Sequence, residues 1–233
     1  MSQGHFNLCE YNSLTERENM SEELVLVVKK EVIEAVGEFQ KFTSDTMPYL
    51  EKIFTPGVAF FIPRSEAETD PNYKQIIPYV LIHDPIHNTY LSYRRGKKGA
   101  EKRLVGNISI GIGGHINSTD LSDTPKKLYN TAVQREIHEE VKMLTGYVDY
   151  IVGLLYDDSN AVGQVHLGIV HELILLPEIQ SLPYVLPNEE EISELTFKSI
   201  EELKECRDDL EMWSQICLDN IKQIRRKSEQ EKN

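Results

Sequence analysis

From residue 75 onward the chain strings strand-like apolar runs around a single long amphipathic segment, and that arrangement narrows the fold more than any other feature. "IIPYVLIH" and "TYLSYRR" are joined by "DPIHN", whose Asp, Pro and Asn supply turn chemistry, so they read as a hairpin. "LVGNISIGIGGHI" is strand-like but weakened by its glycines. A polar loop leads to Pro125, a favoured first helical residue, and the spacing predicts a helix over about 125–144 with Gly146 as its C-cap. "DYIVGLLY" and "VHLGIVHELILL" are two further strands around the turn "DDSNAVG", "LTF" is a last one, and a long terminal helix is expected from Ile200 to about Arg225. The order β, β, β, α, β, β, β, α with one crossover helix implies a mixed sheet with helices on both faces, in the α/β (α+β) class.

At 233 residues the chain is long enough to bury a sizeable core. Residues 1–20 are polar and unpatterned and read as a loose lead-in. Residues 21–74, with the strands "ELVLVV" and "GVAFFIP", read as an appendage packed on a main domain spanning 75–226, and 227–233 reads as a disordered tail. The formal charge of -13, from 38 acidic against 25 basic residues, disfavours attraction to nucleic acid and anionic lipid. No apolar run is long enough to span a bilayer, so no membrane role is expected. Cys9, Cys206 and Cys217 show no C-x-x-C spacing, and the last two lie about 16 Å apart along the expected helix, which suits a reduced, cytoplasmic protein.

The chemistry concentrates in "GIGGHINSTDLSDTPKKLYNTAVQREIHEEVKML", residues 111–144. On a helix, Glu136, Glu139 and Glu140 fall within about a third of the circumference, beside an apolar stripe of Val133, Ile137, Val141 and Leu144. Three carboxylates on one face repel one another, so a positive partner is expected there. Hard divalent cations take carboxylate and backbone oxygens, and the Gly113–Gly114 turn lets a carbonyl approach the same ion, which together suit phosphate chemistry.

This stretch resembles the Nudix box, G-x5-E-x7-R-E-U-x-E-E-x-G-U with U aliphatic. "REIHEEVKM" at 135–143 is the most specific match, and the likeness covers about 75–205. It implies a Nudix-like α/β/α sandwich and hydrolysis of a diphosphate linkage in a small phosphorylated metabolite, most readily a nucleoside diphosphate derivative, with Mg²⁺ or Mn²⁺. Under the resemblance Glu139, Glu140 and the Gly113 carbonyl hold metal, and Glu136 orients or deprotonates water or holds metal itself. Two positions depart from the box. Asp120 stands where the family has Glu, fourteen residues rather than seven before Arg135, so Asp120 or Asp123 would pair with Arg135 if that pairing exists at all. Lys142 replaces the box glycine and moves the expected helix exit to Gly146. These departures keep a second reading open, a catalytically silent ligand-binding or sensor module of the same fold.

Outside the box, "YRRGKKGAEKRL" is the one basic cluster, from which Arg94, Arg95 or Arg103 could grip substrate phosphate; a solvated loop is the alternative. His115 and His166 could contact substrate or act as acids, His138 should face solvent, and Glu189, Glu190 or Glu191 could add a carboxylate. Leu203, Cys206, Leu210, Trp213, Cys217 and Ile224 repeat at three- and four-residue spacing, a stripe for packing on the domain itself or for a homodimer.

Overall fold

The computed structural model describes residues 22–95, 106–176, 184–188 and 192–232. The strands are β1 Leu24–Lys29, β2 Lys41–Thr43, β3 Phe60–Pro63, β4 Tyr73–Asp84, β5 Thr89–Arg95, β6 Ile108–Ser109, β7 Gly111–Ile112, β8 Val141–Met143, β9 Gly146–Tyr156, β10 His166–Leu176, β11 Val185–Pro187 and β12 Ile192–Ser199. The helices are α1 Lys30–Glu34, α2 Met47–Ile53, α3 Arg64–Ala67, α4 Pro125–Glu140, α5 Ile200–Glu205, α6 Met212–Asp219 and α7 Ile221–Glu231.

The main sheet runs β12-β5-β4-β10-β9-β2, with β1, β3, β6 and β7 attached at its sides. It is mixed as expected: β4 and β10 are parallel, Gln75 to His83 against His166 to Ile174, and the other pairs are antiparallel. Alternation along the strands feeds two cores. Ile76, Val80 and Ile82 of β4 join Leu128, Tyr129, Ala132, Val133 and Ile137 of α4 on one face. Tyr79 and Leu81 join Leu203, Ile216, Cys217, Ile221 and Ile224 of α5 to α7 on the other.

Residues 21–74, expected as an appendage packed on the main domain, contribute strands to its sheet. β1 pairs with the start of β4, and β2 pairs with the end of β9. Two helices also differ from expectation. The helix predicted to reach 144 ends at Glu140, because Val141 is extended and Val141 to Met143 pair with Pro187 to Val185 of β11. Gly146 opens β9 instead of capping α4, and Leu144, counted in the apolar stripe, is 49% exposed.

The terminal helix is broken rather than continuous. Glu211 N donates to the Ile108 carbonyl, and the buried Glu211 carboxylate accepts from Tyr79 OH at 2.9 Å and Ser109 Oγ at 2.7 Å, so the chain stays extended there before α6 begins. The stripe of Leu203, Leu210, Cys217 and Ile224 is spent on the protein's own core. Residues 227–231, expected as tail, continue α7, where Ser228 donates to the buried Glu172 carboxylate. No helix among the described residues is long and apolar enough to cross a membrane.

Candidate active site

β4 is paired with β1 up to Gln75 and with β7 from Val80. The glycine turn crosses the interval between them. A Cβ added at Gly113 would lie 2.0 Å from the Pro78 carbonyl oxygen, so only glycine lets the turn pass this close to the strand. A Cβ at Gly114 would lie 2.3 Å from Glu136 Oε2. The second glycine therefore makes room for a carboxylate against the backbone.

Thr124 caps α4, its hydroxyl accepting from Lys127 N at 3.3 Å, and Pro125 occupies the first turn. The helix then presents Arg135 and Glu136 to the turn. Arg135 answers the question of its partner: Nε and Nη2 donate to the two oxygens of Asp120, both at 2.8 Å, in a bidentate fork. Asp123 pairs with Lys127 instead. Asp120 is fixed in turn by Asn117 N, which donates to Oδ2 at 3.0 Å in a capping box. Arg135 Nη2 also reaches the His115 carbonyl at 3.0 Å, and Nη1 donates to Glu136 at 2.7 Å and Glu139 at 3.0 Å. One guanidinium thus ties the glycine turn, the loop carboxylate and the acidic helical turn together. Asp120 above all, with Glu136 adding, raises the Arg135 pKa beyond its ordinary range.

Glu136 is 7% exposed, and burial pushes its carboxyl up to about 7 even though Arg135 pulls it down. Glu139 and His138 are exposed and Glu140 half-buried. Among the described residues no group of three or more His, Cys, Asp or Glu side chains converges on one point as a metal cage. The donors nonetheless fit a hard cation in kind: carboxylate oxygens from one helical turn, one of them held against a glycine backbone. Glu139, whose side chain is 48% exposed, is held to Arg135 by a single hydrogen bond of 3.0 Å, an exposed ion pair worth under about 1 kcal/mol.

His115 follows the glycines and is half-buried. Burial first, then the charges of Arg64 and His166, lower its pKa to about 3, so it is a neutral ring at physiological pH. Arg64, at the start of α3, is a cation near the site that the sequence did not single out; it pairs with Glu23 and Glu68, both at 2.8 Å. Its place depends on β1, whose Leu26 N donates to the Ile116 carbonyl at 2.9 Å just past the glycine turn and whose Leu24 pairs with Pro63, the residue before Arg64.

Of the basic cluster, Arg94 donates to Glu194 at 3.0 Å and to the Gly106 carbonyl at 2.5 Å. Arg95 ends β5, but its side chain, Arg103 and Glu189 to Glu191 lie outside the described residues. A cavity of about 280 Å³ lies elsewhere, lined by Lys30, Glu34, Phe39, Lys74, Tyr156 and Asp158 among others, and none of the α4 carboxylates borders it.

No family model matches the chain. It is 36% identical to Protein YmaB of Bacillus subtilis (strain 168) over 162 residues, covering 67% of this chain and 75% of YmaB. The crystal structure of the provisionally assigned Nudix hydrolase Tm1382 superposes with a TM-score of 0.68 at 28% identity, over 85% of this chain and 98% of Tm1382. DR0079 from Deinococcus radiodurans is more distant, with a TM-score of 0.40 at 17% identity over 65% and 82% of the two chains. A box whose arginine, loop carboxylate and glycine turn are locked together, on a sheet shared along nearly the whole of Tm1382, settles the kinship: the chain belongs to the Nudix hydrolase superfamily, in one family with YmaB.

Proposed function

We propose that this Nudix hydrolase cleaves the diphosphate linkage of a small phosphorylated metabolite, a nucleoside diphosphate derivative, with Mg²⁺ or Mn²⁺ held by Glu139, Glu140 and the Gly113 carbonyl and with Glu136 as the group that takes a proton from water. The observation that carries the reading is Glu136: a buried carboxylate pressed against the Gly114 backbone and held by Arg135, placed to take a proton from water. The bound metal would neutralise the diphosphate and lower the pKa of a coordinated water. Arg135 fixes the direction of Glu136 through a 2.7 Å hydrogen bond and is itself fixed by Asp120, so the base is aimed before substrate arrives. Glu136 would take the proton of the attacking water, the new P–O bond forming as the bridging P–O bond breaks and the phosphate leaving group departs. Arg94, Arg95 and Arg103 are the cations proposed to meet the remaining phosphate oxygens, and His115, next to the glycine turn, is proposed as a neutral contact.

Glu136→Gln keeps the shape and removes the proton acceptor. Calorimetric binding and product release, followed in parallel at fixed Mg²⁺, should show kcat lowered by about a hundredfold or more with substrate still bound. Tight binding of nucleotide by the wild type with no turnover would instead establish the sensor reading.

A further inference from the structure

The cavity beside α1 has no part in this chemistry, yet its buried end carries a charge without a counter-charge. Lys74, 2% exposed, lines it from the start of β4. An ammonium has three donors, and two of them go to neutral acceptors, the Pro71 carbonyl at 2.6 Å and the Gln164 carbonyl. No carboxylate among the described residues stands within ion-pair distance of it. A buried cation lacking an anion is costly, and its third donor is left for whatever fills the cavity. The walls are apolar: the Tyr156 ring lies 5.4 Å from the ammonium, Phe39 meets Tyr156 edge-on at 6.2 Å, and Ile33 and Leu167 complete the inner side. The mouth is acidic. Lys30 and Glu34 neutralise each other at 2.9 Å, whereas Glu38 and Asp158, both exposed, have no ion pair among the described residues.

The geometry points to a binding site for a small apolar amino acid, with its carboxylate on Lys74, its side chain against Phe39 and Tyr156, and its ammonium at Glu38 and Asp158. A simple carboxylate would give Lys74 its counter-ion but would meet two like charges at the mouth, and a diphosphate would be repelled more strongly. An amine would satisfy the mouth and leave Lys74 unpaired. A zwitterion answers both ends. At about 280 Å³ the cavity falls below the range of about 300–1,000 Å³ that holds drug-sized ligands, which fits a molecule of this size. None of the α4 carboxylates borders it, so this site stands independently of the hydrolase reading.

Calorimetry of the full chain in chelator, where the acidic turn holds no metal, tests the assignment with three probes: L-leucine, 4-methylpentanoate, which lacks the ammonium, and 3-methylbutylamine, which lacks the carboxylate. The expected result is saturable binding of one leucine per chain, with both fragments about tenfold weaker or more, the scale of a lost charge-assisted hydrogen bond. Lys74→Met should weaken leucine by a similar factor. Glu38→Gln combined with Asp158→Asn, two exposed changes that leave the core untouched, should bring leucine down to the affinity of 4-methylpentanoate. No leucine binding by the wild type, binding that requires Mg²⁺, or equal affinity for leucine and 4-methylpentanoate each overturns the assignment. So does a folded Lys74→Met protein that binds leucine as the wild type does.

Discussion

Asp120 carries an ionised partner under almost complete burial, being 1% exposed with Arg135 on both of its oxygens. Removing one member of such a pair leaves the other charge uncompensated, at a cost of about 3–5 kcal/mol, whereas an exposed pair is worth under about 1 kcal/mol. Asp120→Ala should therefore lower the unfolding free energy by about 3 kcal/mol and cut kcat as Glu136 loses its aim; a denaturant midpoint shift worth less than about 1 kcal/mol would reduce the fork to a surface ion pair. Gly114→Ala is the complementary test. Its methyl would meet the Glu136 carboxylate at 2.3 Å, so activity should fall sharply while the fold survives through a turn of that flexible side chain. Unchanged kcat in Gly114→Ala would remove the close approach from the account. At this scale the helical spacing of Glu136, Glu139 and Glu140 was legible because 3.6-residue periodicity is local. The choice of Asp120 over Asp123 was not, because it depends on the path of a loop that only the Asn117 capping box fixes.

Among the elements, β4 and the loop ahead of β10 are joined by a buried charge. Lys74 is 2% exposed, and its ammonium donates to the Pro71 carbonyl at 2.6 Å and to the Gln164 carbonyl, with the Tyr156 ring 5.4 Å away. Burial, with Lys30 adding, lowers its pKa from 10.5 to about 8. The unfolded chain then binds the extra proton between about pH 8 and 10.5, so Lys74 costs stability below that window and the cost is relieved as pH rises through it. Relative to Lys74→Met, the wild type should gain stability from pH 8 to 10.5, read from denaturant midpoints; parallel curves would contradict the shift. The elements that sequence reasoning misplaced share a cause. α4 stops at Glu140 because Val141 to Met143 find β11 some forty residues on, and the terminal helix breaks because Glu211 is anchored to Tyr79 and Ser109. β1 and β2 likewise take partners that local pattern cannot name. Strand existence was readable from apolar runs, but non-local pairing was not.

For the whole molecule, the central claim is that an acidic protein gathers a divalent metal on one helical turn in order to break a diphosphate. A ligand that binds only the native state stabilises it by mass action, so saturating Mg²⁺ at a hundred times its Kd should add about 2.7 kcal/mol, an increment that Glu139→Gln and Glu140→Gln should diminish. β4 supports this arrangement from both sides of the site, packing on α4 through Val80, Val133 and Ile137 and taking the glycine turn against its Pro78 carbonyl. The most direct measurement is phosphorus NMR of the wild type with a panel of nucleoside diphosphate derivatives and Mg²⁺, repeated with chelator and with Glu140→Gln. The account predicts that a diphosphate resonance pair is replaced by monophosphate signals in the wild type alone, with turnover abolished by chelator and lowered at least about a hundredfold in Glu140→Gln. Turnover that persists undiminished in chelator, or a Glu140→Gln enzyme of near full activity, would contradict it.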